Sequence, residues 1–143
     1  MFTSQRNPLK AYENVGLETS VQSASPYQLI LMLFDGAKQA IANARLGIEM
    51  QDIPKKGMAI SKAIDIILNG LRASINMEGG GKLSEDLYAL YDYMGRRLLH
   101  ANLNNDLAAL DEVSRLLGEI HSAWIEIGDK VAALPESDSP GAP

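Results

Sequence analysis

The chain contains no cysteine. That excludes a disulfide framework, a thiolate zinc site and a thiol nucleophile, and it fits a reducing compartment. Long apolar runs are missing too: the longest, Leu29 to Phe34, is far short of the roughly 20 residues that cross a bilayer, so no stable membrane insertion is expected. The opening stretch MFTSQRNPLKAYENVG has no apolar core of the kind a secretory signal needs, which predicts a cytoplasmic location. Positive charge is in deficit. With 13 Lys and Arg against 18 Asp and Glu, the net charge of −5 argues against a nucleic-acid partner. There are two histidines, His100 and His121, which leaves little for metal or acid–base chemistry. Strand-like alternation is absent, because the β-branched residues stand at helical spacing.

What is present is helical. Ser25-Pro26-Tyr27-Gln28 reads as a capping box with Pro in the first turn. The first helix then runs from Pro26 to about Met50, ended by Asp52-Ile53-Pro54. The second, from about Pro54 to Asn76, carries Ile60, Ile64, Ile67, Leu71 and Ile75 at bundle spacing. Glu78-Gly79-Gly80-Gly81 interrupts it as a flexible connector. Ser84-Glu85-Asp86 is expected to cap the third helix, whose seam is Leu87, Leu90, Tyr91, Met94 and Leu98. Asn102 to Asp106 makes a turn, and the fourth helix carries Leu110, Val113, Leu117, Ile120, Trp124 and Val131. Helices joined by short loops predict an all-α, antiparallel up-down-up-down four-helix bundle over residues 25–134. Residues 1–24 are spare and read as an N-terminal arm or short helix packed on it. Residues 135–143, PESDSPGAP, read as a disordered tail.

Chemistry is hard to find. A di-iron bundle needs Glu-x-x-His pairs, but Gly118 and Arg97 stand three residues before the two histidines. His121 reads as a hydrogen-bonded histidine at the core edge and His100 as a cation at a helix end. A phosphotransfer role would rest on His100 alone. Gly79-Gly80-Gly81-Lys82 fails as a phosphate loop, since Asn76 and Leu83 occupy the wrong positions and no strand precedes it. Catalysis is not expected, nor any cofactor.

Apolar residues left off the core stripes are more informative. At 100° per residue, Ile66 falls about 120° from the stripe of Ile60, Ile67 and Leu71. Tyr88, Tyr93 and Leu99 stand away from the third helix's seam, and Ile30, Leu31 and Phe34 cannot all share the Leu29–Leu33 face. Together they suggest grooves for an amphipathic helix; a homodimer interface would absorb them equally well.

The blocks NPLKAYENVGLETSVQSASPYQLILMLFDGA (7–37) and SKAIDIILNGLRASINMEGGGKLSEDLYALYDYMGRRLLHANLNND (61–106), with Ala123-Trp124, resemble the flagellar secretion chaperone family, FliS. The resemblance implies a cytosolic helical bundle that binds the disordered C-terminal segment of flagellin. It also implies that the protein blocks premature polymerisation and helps delivery to a flagellar export gate component. It further implies a partner-binding role for an N-terminal apolar residue and tyrosine, matched here by Leu9 and Tyr12. On this reading the client groove is lined by Ile30, Phe34, Ile66, Tyr88 and Leu99, with Tyr93 beside them. A self-associating structural bundle without a flagellin client is the alternative.

Overall fold

Three of the four helices begin where a side chain accepts one of their first free N–H groups. The computed structural model describes residues 25–132, with side chains to 129. At Ser25 the capping box forms: Oγ accepts from Gln28 N at 3.1 Å, and Ser25 N donates to Gln28 Oε1 at 2.9 Å. Helix α1, Pro26–Glu49, follows. It ends at Gln51, whose φ of 56° lets Asp52 N donate back to Gly47 O. Asp52 then caps α2, Ile53–Asp65, by accepting from Lys55 N. A matching turn links α3, Gly81–Asn104, to α4, Leu107–Ala132: Asn105 takes the left-handed conformation, and Asp106 Oδ1 accepts from Ala109 N.

The described residues form four helices and no strand, an all-α bundle as predicted. α1 packs against α2 and α4, and α3 packs against the same two. The 1–24 arm and the 135–143 tail lie outside the described residues.

Two local features depart from the sequence reading. The second helix does not run on regularly. After Asp65 it widens into a π-helical segment, Ile66–Leu71, tightens into a 3₁₀ turn, Arg72–Ser74, and gives way to extended backbone at Ile75. The wide turn buries adjacent Ile66 and Ile67 together with Gly70 and Leu71. The third helix starts four residues earlier than expected, with Gly80 in place of Ser84 at the cap position. Ser84 is not its cap but a buried residue inside it, with Oγ donating to Asn76 O at 2.9 Å. Gly80 makes that possible, since a Cβ there would fall 1.5 Å from Ser84 Oγ.

The core also corrects the expected facing of three residues. Ile30, Phe34 and Ile66 were expected to face outward, yet Phe34 and Ile66 are wholly buried and Ile30 nearly so. The reason is the width of the buried arc. On α1 the buried residues, from Leu29 and Leu33 through Ala37 to Ile30 and Phe34, span about 140° of the wheel at 100° per residue. A helix wedged between two neighbours hides more than one narrow stripe. Only Leu31 and Met32 of the six-residue run stay partly exposed.

Candidate functional site

One end of the bundle is open. There α1 begins, α2 has stopped, α3 begins and α4 is running out. Tyr27, in the first turn of α1, donates its hydroxyl to Trp124 O at 2.9 Å, with Ile125 O at 3.3 Å. Its ring lies against Gly128, where a Cβ would come within 2.0 Å of Tyr27 Cζ. Tyr27 and Trp124 pack with ring centroids 6.0 Å apart and planes tilted by 40°. The start of α1 is thereby clamped to α4.

Beside this clamp lies a groove of about 380 Å³. Pro26, Tyr27 and Ile30 line it from α1, Leu71, Ser74, Ile75 and Asn76 from the end of α2, Leu83, Ser84, Leu87 and Tyr91 from α3, and Trp124 from α4. It exists because α2 unwinds at Ser74, so no helical turn fills the space between the starts of α1 and α3. Most of its polar groups are already spent. Ser74 Oγ donates to Leu71 O at 2.8 Å, Ser84 Oγ to Asn76 O, and Tyr27 to α4. Burial pushes the Tyr91 hydroxyl well above an ordinary tyrosine, so it stays neutral. The groove therefore offers a visitor apolar surface and few free donors. Leu83, 69% exposed, stands on its rim.

The residues singled out from sequence are not brought together. Ile30 lines the groove, but Phe34 and Ile66 belong to the core. Tyr93 is half-buried and committed to α4: its hydroxyl donates to Glu112 Oε2 at 2.5 Å, while Arg97 Nε donates to Oε1 at 2.8 Å. The tyrosine hydroxyl and the guanidinium hold the Glu112 carboxyl below its usual range. Tyr88 and Leu99 are exposed, but they lie 11 residues apart on α3, about 16 Å along a helix. Tyr88 sits under the Arg72 guanidinium, 4.8 Å from its ring centroid. Leu9 and Tyr12 lie outside the described residues. The sequence reading missed Tyr27, Leu71, Leu83, Leu87, Tyr91 and Trp124 as groove residues. The available signal was the longer break at Ile75–Gly80, beside two short connections, which leaves one bundle end uncovered.

Neither histidine is arranged for catalysis. His121 stacks on Phe34, centroids 5.1 Å apart and planes 4° from parallel, and its Nδ1 faces Lys38 Nζ at 2.9 Å. Burial, then the lysine charge, lowers its pKa, with Asp35 opposing, so the neutral ring accepts from the ammonium. His100 bridges Asn104 and Asp106 at the α3–α4 turn. Among the described residues no cluster of His, Cys, Asp and Glu could hold a metal ion, and no helix is long and apolar enough to cross a membrane.

Comparison with known proteins decides the family. The family model described as Flagellar protein FliS matches residues 8–131. The chain belongs to the FliS family. It is similar to the flagellar secretion chaperone FliS of Salmonella typhimurium, 53% identical over 137 residues that cover 96% of this chain and 99% of that one. It is also similar to the Escherichia coli protein of the same name, at 48% over 82% of this chain and 86% of the relative. The Bacillus subtilis FliS is 35% identical over 83% of this chain and 84% of its own length. FliS proteins bear the name of chaperones, not enzymes, and the groove, with most of its donors spent internally, fits an export-chaperone role.

Proposed function

We propose that this FliS protein binds the disordered C-terminal segment of flagellin in the cytoplasm, keeps it from polymerising early, and helps carry it to a flagellar export gate component. The observation that carries this reading is the groove walled by Ile30, Leu71, Leu87, Tyr91 and Trp124, with exposed Leu83 on its rim, in which the Tyr27, Ser74 and Ser84 hydroxyls are satisfied within the chain. A segment that is apolar on one face when helical would bury that face there. Such burial is worth about 25 cal/mol per Å² of apolar surface, set against roughly 2–5 kcal/mol or more for ordering the segment. Leu9 and Tyr12 belong to the same reading. An arm carrying them would compete with the client for the groove at high effective concentration.

The test is a titration of the full chain with a flagellin C-terminal segment, followed by circular dichroism and sedimentation. Helix content above the sum of the parts, with a 1:1 complex, is the expected result. Additive spectra and a homodimer that ignores the segment would instead establish the self-associating bundle.

A further inference from the structure

Outside the groove, on the seam between the end of α2 and α3, two guanidinium groups share one carboxylate. Arg72 Nη1 donates to Asp92 Oδ1 at 3.2 Å, and Arg96 Nη1 donates to Asp92 Oδ2 at 2.5 Å. The cluster therefore carries a net charge of about +1 in a chain whose formal charge is −5. Arg72 also lies over the Tyr88 ring, which holds the guanidinium plane in place from one side. Of its five N–H donors one is spent on Asp92, and its side chain keeps 23% of its exposure. A planar cation held between a carboxylate and an aromatic face, with donors to spare, matches a second oxyanion, which on an unmodified peptide is a carboxylate. Its position matters as well. Arg72 follows Leu71 and precedes Ser74 and Ile75, all three in the groove wall, and Tyr88 follows Leu87. The cation is thus carried on the two segments that supply this wall, next in sequence to Leu71 and held against Tyr88, next to Leu87.

We infer that Arg72, held by Tyr88 and Asp92, is a rim anchor for an acidic side chain of the client helix seated in the groove. This rests on the client reading above, and deepens it by stating what the client must carry: an Asp or Glu beside its apolar face, placed to reach over the α2–α3 wall. The groove supplies drive with little direction, because most of its donors are spent internally. A charged contact at one rim sets which way the helix lies and in what register, as rim charges do at other interfaces.

The experiment uses two C-terminally amidated flagellin C-terminal peptides, one native and one with every Asp and Glu replaced by Asn and Gln, so that no terminal carboxylate contributes. Each is titrated into the full wild-type chain, Arg72→Gln, Arg72→Lys and Leu83→Asn, at low and at high salt. Arg72→Gln should weaken the native peptide by about threefold to tenfold at low salt and leave the neutral peptide within about twofold. The gap should narrow at high salt as screening sets in. Arg72→Lys, which keeps the charge but loses the planar fork, should fall between the two. Leu83→Asn, which removes apolar contact without adding charge, should weaken both peptides alike. Should Arg72→Gln melt early, Arg72→Glu paired with a peptide carrying Lys at the acidic positions replaces it, and regained binding supports the anchor. Equal losses for both peptides, or no loss with either, would overturn it while leaving the groove as client site. Tighter binding of the native peptide by Arg72→Gln would mean that a carboxylate of this chain occupies Arg72, and would also overturn it. If the wild-type chain binds neither peptide, the client reading itself falls.

Discussion

Ile66 and Leu99 were alike as sequence: aliphatic residues off a heptad-like stripe. The fold separates them, since Ile66 has no exposed surface and Leu99 is 54% exposed. A carboxylate at 66 would be buried among Ile67, Leu71 and the rest of the core with no partner. Ile66→Asp is therefore expected to cost about 4 kcal/mol or more and to abolish the cooperative urea transition, whereas Leu99→Asp should stay within about 0.5 kcal/mol of the parent. Comparable midpoints for the two variants would contradict the assigned facing. His121 gives a second test at this scale. Its folded-state pKa lies below the ordinary 6.5, chiefly through burial and then Lys38. The unfolded chain thus takes up a proton there more readily than the folded one. The stability tied to the neutral ring is complete above pH 6.5 and is lost as pH falls from there through the lowered folded value. Denaturation midpoints of the parent should drop between pH 7.5 and 5 by more than those of His121→Gln, and parallel profiles would show that His121 is not the group responsible.

The helices were legible because their ends are chemical. Ser25 with Gln28, Asp52 with Pro54, and Asn105-Asp106 each announce a boundary through the groups that satisfy free backbone N–H. What could not be read was rotation. A narrow stripe and a 140° arc draw on the same apolar residues, and only the number of neighbours a helix has tells them apart. The π segment was equally hidden, since Ile66-Ile67 reads as one core and one surplus residue until the helix widens to take both. The connector Gly79-Gly80-Gly81 was read as flexible, but its members do different work. Gly81 takes a φ of 58°, and Gly80 leaves room for the Ser84–Asn76 bond that fixes the start of α3. Gly80→Ala should therefore cost about 2 kcal/mol, from the lost bond and the displaced serine. Gly57, inside α2 with nothing within 4 Å of an added Cβ, is the contrast. Gly57→Ala should be neutral or stabilise by up to about 1 kcal/mol. Thermal melts of the two variants moving in the same direction would show that the turn has slack which the packing around Gly80 denies.

At the scale of the molecule, the surplus apolar surface inferred from sequence is there but distributed differently. The groove at the α1 start is bounded by residues that the stripes had assigned to the core, Leu71, Leu87 and Trp124, which reach past the point where α2 ends. Leu83 at its rim extends it toward solvent. The chain enters the described structure at Ser25, one residue before Pro26 in the groove wall, so anything attached there is held within reach of the groove. A tethered segment carrying Leu9 and Tyr12 would occupy it at high effective concentration without needing strong intrinsic affinity. Removing residues 1–20 should then raise the fluorescence of a dye that reports exposed apolar surface. It should also speed client association, because no competitor has to leave first. The melting temperature should change little, since Ser25, Gln28 and the Tyr27 clamp all remain. Dye binding equal to that of the full chain would rule the competitor out. Weaker client binding alongside brighter dye would show that Leu9 and Tyr12 touch the client directly as well as covering its site.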